Sequence, residues 1–154
     1  MPLSFFQVKD KEDGSLIKDG KGIIKAATLE SPWSNGEIDE KYIDLLIKLF
    51  LEHPDPTQRG LFIAMDGPLF VGLLAAIVNQ GSVVKQCNEL MWFVMPGHRD
   101  GGVGKQLIKM YEDWAVGLGI KKVTMSHYAR DDMKAEYEAN GYKQTEITYV
   151  KDLD

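Results

Sequence analysis

Between Asn88 and Ser126 the chain spells a strand, a glycine-rich turn, a long amphipathic helix and a second strand, and that order leaves few folds open. Asn88 to Met95 is an apolar run rich in branched and aromatic side chains. Pro96 to Gly102 is turn-rich. Val103, Leu107, Tyr111, Trp114 and Leu118 then recur on one helix face, and the stripe ends at Gly117 and Gly119. Lys121 to Ser126 reads as a short strand. A strand–helix–strand crossover makes its two strands parallel, and ligands in such units bind beyond the carboxyl end of the first strand, where the helix starts.

The rest of the chain reads as an antiparallel meander with helices. Residues up to about 20 form a leading segment without apolar periodicity, because Asp10 to Gly14 is a polar turn cluster. Gly22 to Leu29 is expected to be a strand. Ser34 and Glu37 stand at capping-box spacing ahead of Ile38, Tyr42, Leu45, Leu46 and Leu49, which predicts a helix that His53-Pro54-Asp55-Pro56 stops. Leu61 to Met65 and Leu69 to Asn79 flank Asp66-Gly67-Pro68, and Asp-Gly between two such runs signals a hairpin. Asp131 to Ala139 is a short helix closed by Asn140-Gly141, and Thr145 to Val150 alternates as a last strand. The expectation is a single α+β domain over residues 1–154, with a mixed, mainly antiparallel sheet flanked by helices and one parallel βαβ unit.

Composition removes several classes of function. With 18 Lys+Arg against 23 Asp+Glu the formal charge is -5, which disfavours general phosphate neutralisation and so nucleic acid as a partner. A hydrophobic share of 44% and a charged share of 27% are those of an ordinary globular domain. Cys87 is the sole cysteine, so no intrachain disulfide and no thiolate cluster can form, and His53, His98 and His127 lack ligand spacing; no metal is expected. The N-terminus has no signal-peptide pattern, and the longest apolar stretch, Leu69 to Val78, is interrupted by Gly72 and too short to span a bilayer. A cytoplasmic protein without a membrane partner is expected.

Gly101, Gly102 and Gly104 crowd the predicted start of the long helix, where unpaired N–H groups and the helix dipole favour an anion, with Arg99 and Lys105 on either side. Two phosphate motifs fail against these letters. A P-loop would need Gly where Arg99 stands and Ser or Thr where Gln106 stands, and the dinucleotide fingerprint would need Gly in place of Leu107. A glycine-rich strand-to-helix turn without a ligand is the competing reading. The run Val94-Met95-Pro96-Gly97-His98-Arg99-Asp100-Gly101-Gly102-Val103-Gly104 resembles the V-x-P-x-x-(R/Q)-x-x-G-x-G signature of the GNAT family of N-acetyltransferases. Tyr137-Glu138-Ala139-Asn140-Gly141-Tyr142 resembles that family's Y-E-x-x-G-F/Y segment, and the element order is similar from Gly22 onward.

The resemblance implies acetyl-coenzyme A as co-substrate and a primary amine, on a small molecule or a peptide, as acceptor. It implies that main-chain groups of Phe93, Val94 and Met95 pair with the pantetheine arm, and that N–H groups around Gly101, Gly102, Val103, Gly104 and Lys105 hold the pyrophosphate, with Arg99 supporting the turn or a phosphate. It implies Tyr137 as the acid that protonates the departing thiolate, against a core aromatic on the residues alone, and Glu89 as a general base, against a solvent-facing strand carboxylate. A Lys-type amine has a pKa of about 10.4, so a base or a water relay has to free its lone pair. Strand alternation places Cys87, Glu89, Met91 and Phe93 on one face. The N–H of Val94 or Met95 is the expected oxyanion donor, and Cys87 reads as a small buried hydrophobe, which favours direct transfer over an acyl-cysteine. Arg130 stands where relatives often carry a coenzyme-contacting Asn. Trp33 and Trp92 are open between an acceptor pocket and the core, whereas Trp114 belongs to the core. Relatives commonly form homodimers. The alternative function is a coenzyme sensor or interaction module without turnover.

Overall fold

The computed structural model describes residues 2–31, 37–81, 83–127, 133–149 and 151–153. Contacts divide the chain into two compact units, Met1–Thr124 and Met125–Asp154. In the first unit, strand β1 (Leu3–Gln7) is followed by helices α1 (Lys11–Ser15), α2 (Gly20–Leu29) and α3 (Glu40–Ile47), then β2 (Arg59–Asp66), β3 (Leu69–Asn79), β4 (Gln86–Val94), helix α4 (Val103–Gly117) and β5 (Val123–Thr124). The sheet order is β1-β2-β3-β4-β5. Every pair is antiparallel except β4 with β5, which are parallel and joined by α4. The expected mixed sheet and its one βαβ unit are both present.

Three sequence expectations change. Gly22–Leu29 is helical rather than extended, because Asp19 accepts the Gly22 N–H as a cap and Gly20, Ile23, Ile24 and Ala27 fall on one helical face, with Ile24 and Ala27 buried. The leading segment is also structured. Leu3–Gln7 pairs with β2 in the register Leu3↔Asp66 to Gln7↔Phe62, and Asp10 caps α1 by accepting the Asp13 N–H at 2.8 Å. Thr145 to Tyr149 is exposed and forms no strand, since an alternating stretch becomes a strand only on gaining a ladder partner; Val150 lies outside the described residues.

The predicted Ser34 cap also lies outside the described residues. The cap of α3 is Asp39, whose carboxylate accepts the N–H groups of Lys41 and Tyr42. A π-helical turn, Lys48–Glu52, extends α3 up to His53, just before Pro54. Arg59 secures this end by donating to the carbonyls of Leu49 (3.1 Å) and His53 (2.9 Å), groups that a helix end leaves without partners.

The sheet separates two apolar layers. Ile24, Ala27, Ile43, Leu46 and Phe50 pack on the face that carries Ile63, Leu73, Ala75 and Phe93. On the other face α4 lays Val103 and Leu107 against Gly72, and the Trp114 ring meets Phe62 edge-on at 5.8 Å. Trp114 is core, as its place on the stripe predicts, and its indole N–H donates to the Pro56 carbonyl. α4 closes in a Schellman motif, with Gly119 at φ 75°, its N–H on Val116 and the Ile120 N–H on Ala115. The second unit holds α5 (Lys134–Ala139). No described helix is long and apolar enough to cross a membrane.

Candidate active site

β4 delivers Phe93, Val94 and Met95 to the head of α4 through the turn 96–102. Met95 donates its N–H to the Val71 carbonyl of β3 at 2.8 Å, so the main chain of Val94, one residue earlier, turns to the opposite edge. That edge lies past the β5 ladder, which reaches only Cys87 and Asn88. Of the two expected oxyanion donors, the Met95 N–H is thus committed to the sheet, and the Val94 N–H faces an edge that no strand pairs with at that point among the described residues. The Phe93 and Val94 side chains are buried, and by the same alternation Phe93, opposite Leu73, turns its main chain to β3, so of these residues Val94 alone offers its backbone at that edge.

The first turn of α4 has no side-chain cap, and its N-cap, Gly102, is left-handed at φ 79°. The N–H groups of Val103, Gly104 and Lys105 therefore lack the intrahelical partners that later turns have. A Cβ on Gly102 would meet nothing within 4 Å among the described residues, so the backbone angle is what requires glycine. Gly104 is a different case. A Cβ there would lie 2.8 Å from Cζ2 of Trp92, so this glycine lets α4 approach β4 closely, and Trp92 serves helix packing. The Val103 side chain is buried, Lys105 is exposed, and Gly101 lies on the exposed turn.

Arg99 braces the turn. Its Nε donates to the Val94 carbonyl at 2.7 Å, one terminal nitrogen donates to both carboxylate oxygens of Glu30 at 2.9 and 3.1 Å, and its guanidinium sits 5.7 Å from the Phe93 ring centroid. Of the two expected roles, support of the turn or contact with a phosphate, the first is the one its bonds serve. His98 ties the same turn to the β2–β3 hairpin, with Nε2 3.4 Å from the Asp66 carboxylate.

A β-bulge in β4 changes the expected facing of Glu89. Ala75 pairs with Met91 but Ala76 pairs with Glu89, leaving Leu90 as the extra residue. Ala75 and Ala76 point to opposite faces, so Glu89 and Cys87 lie on the α4 face while Met91 and Phe93 lie on the other. The single face expected for all four is split by this one residue. Cys87 is fully buried, and burial pushes its thiol up to about 11, against the pull of Lys85. Burial likewise raises the Tyr111 phenol far above its usual range, with Cys87 and Glu89 adding to the rise, and the phenol donates to the Thr124 carbonyl at 2.9 Å.

In the second unit, the buried Tyr137 ring lies between His127 and Tyr142 at centroid distances of 5.9 and 5.8 Å, and its hydroxyl donates to the Ser126 carbonyl at 2.9 Å. The Tyr137–Tyr142 segment is a second Schellman motif: Gly141 at φ 87° donates to Glu138, and Tyr142 donates to the Tyr137 carbonyl. Trp33 and Arg130 lie outside the described residues.

The profile of the acetyltransferase (GNAT) family matches residues 24–142. The chain belongs to that family. The GNAT fold extends over its solved neighbours. Glucosamine-6-phosphate N-acetyltransferase from Arabidopsis thaliana has a TM-score of 0.72 at 14% identity, covering 100% of both chains. The aminoglycoside N-acetyltransferase AAC(6')-Iy in complex with CoA has 0.69 at 21%, covering 97% of this chain and 95% of that one. A predicted acetyltransferase with acetyl-CoA from Clostridium acetobutylicum has 0.72 at 14%, covering 98% and 96%. No curated protein matches the sequence at significance.

For this GNAT acetyltransferase, the sequence motifs lead to the turn and its arginine but not to the groups that hold them. Glu30 sits 69 residues from Arg99 and carries no local signal, and Asp66 reads only as a turn residue. Among the described residues no three His, Cys, Asp or Glu side chains gather where a metal ion could be held.

Proposed function

We propose that this GNAT acetyltransferase moves an acetyl group from acetyl-coenzyme A directly to a primary amine of a small molecule. The observation that carries the reading is the head of α4: three consecutive first-turn donors without a side-chain cap, behind the exposed, left-handed Gly102 and beside the exposed Lys105, at the carboxyl end of β4. An anion of pyrophosphate size suits such donors, which act against the overall charge of -5. Solved neighbours that act on aminoglycosides and glucosamine-6-phosphate support a small-molecule amine as the acceptor class.

In this mechanism the N–H groups of Gly102 to Lys105 hold the pyrophosphate, and Arg99 keeps the turn and the Val94 carbonyl in register. The Val94 N–H, on the open edge, stabilises negative charge on the thioester oxygen. Acetyl-coenzyme A supplies an activated acyl carbon. Glu89 takes a proton from the ammonium through water, and Tyr137 gives one to the leaving sulfur, an assignment supported by the family segment it opens. The test is release of free thiol across a panel of small amines. Tyr137→Phe should lower kcat about 100-fold while leaving KM for acetyl-coenzyme A within a few-fold. Turnover that Tyr137→Phe does not alter rejects the assigned acid, and a protein that binds the coenzyme without turning over any amine is instead a sensor.

A further inference from the structure

The turn that leads into α4 has to be held from outside. Residues 96–102 include Gly97, Gly101 and Gly102, and all of them except His98 are exposed. Glycine has the most backbone freedom to lose when a ligand needs the chain in one place. The start of the turn is built locally: the His98 N–H donates to the Met95 carbonyl at 3.0 Å, with Pro96 second and Gly97, at φ 93°, third, the arrangement of a type II turn. His98 and Arg99 then reach two different elements. Arg99 goes to the Val94 carbonyl and to Glu30, just past α2, whereas His98 goes to Asp66, the last residue of β2.

Asp66 is a firm anchor, because its strand is paired on both sides, with Leu3 of β1 and Leu69 of β3 opposite it. The His98 Nε2 lies 3.4 Å from its Oδ2. An ionised carboxylate only accepts, so Nε2 carries the hydrogen. Nδ1 is then a bare acceptor, and it is buried without a hydrogen-bond partner among the described residues. Any hydrogen on Nδ1 would be a buried N–H with nothing to bond to, which is the costlier arrangement. The surroundings of the ring therefore select the one tautomer that donates to Asp66.

We propose that His98 is a positioning residue for coenzyme binding: by donating to Asp66 it keeps the turn, and with it the first-turn donors of α4, in the arrangement the pyrophosphate needs. The inference rests on the coenzyme reading above. His98 touches no reacting atom and acts through the fraction of time the turn is in place. A turn in place about a tenth of the time binds its ligand about tenfold more weakly, and leaves the chemical step of the bound complex unchanged.

The test is the dissociation constant of the full chain for coenzyme A, which needs no acceptor, with urea unfolding to show that each variant folds. His98→Leu fills the space without a donor and should bind about tenfold more weakly. His98→Gln, whose amide can place an N–H where Nε2 stands, should bind within about threefold of the parent. Asp66→Ala should match His98→Leu, and combining the two should weaken binding no further, since both remove the same bond. The inference is overturned by a leucine variant that binds as the parent does, by a glutamine variant as weak as the leucine one, or by losses that multiply in the double variant. Each of these outcomes leaves the coenzyme reading standing. Where Asp66→Ala does not fold, the contrast between the leucine and glutamine variants decides alone. A parent chain that does not bind coenzyme A removes the coenzyme reading and this inference with it.

Discussion

Arg99 shows how a motif residue can act through its neighbours. Its fork spans the Val94 carbonyl, at the end of β4, and the Glu30 carboxylate, just past α2, so the turn between them is held from two sides. Both ends of the Arg99–Glu30 ion pair are about half exposed, and an exposed pair of this kind adds less than about 1 kcal/mol to stability. Its value is geometric. Arg99→Lys loses the Nε bond and the planar fork, and should raise KM for acetyl-coenzyme A about tenfold with little change in kcat. Glu30→Gln keeps one acceptor and should raise it about threefold, and steady-state kinetics at fixed amine reads both. The arginine was legible in the sequence because its spacing to the glycines is local. Glu30 was not, since nothing short of the folded chain brings residues so far apart within bonding distance. Glu89 illustrates the same limit from the opposite direction: its position in β4 was clear, but a single inserted residue, Leu90, decided its face.

At the scale of elements, what neighbouring residues encode is legible in the sequence, and what distant contacts decide is not. The Asp66-Gly67 hairpin, the α4 stripe and both Schellman ends follow from residues within one or two turns of each other. α2 differs from its local signal because Ile23 and Ile24 favour a strand in isolation, while the packing of Ile24 and Ala27 against the sheet favours a helix. The two glycines at the head of α4 can be separated by experiment. Gly102→Ala should cost about 1 kcal/mol in urea unfolding from its left-handed backbone alone, because its Cβ has room. Gly104→Ala places a Cβ 2.8 Å from the Trp92 ring, and should cost about 1–3 kcal/mol and weaken coenzyme binding as α4 is pushed off β4. Equal costs with unchanged coenzyme affinity would contradict this division.

For the whole molecule, the buried ionisable groups fix how stability responds to alkali. Cys87 ionises near 9.0 when unfolded and near 11 when folded, so above pH 9 the unfolded chain binds fewer protons than the folded one and stability falls as pH rises. The loss from this thiol should reach about 2 kcal/mol by pH 11, with Tyr111 extending it to higher pH. Denaturant midpoints measured from pH 8 to 11 should show the decline, and Cys87→Ala should flatten its lower part. A flat profile in the parent chain would mean that the thiol is solvated.

The pairing of β1 with β2 has a kinetic consequence. β2, β3 and β4 follow one another through short connections, whereas α1, α2 and α3 all lie between β1 and β2. Closing a loop of that length has to wait for the contacts that reward it, so the three-strand meander should form first and β1 should zip on last. Phe6, partly buried against the core from β1, reports on that step. Phe6→Leu should speed unfolding and leave the refolding rate nearly unchanged in stopped-flow measurements, because its contacts are absent from the transition state. The strand that begins the chain would then be its closing seam.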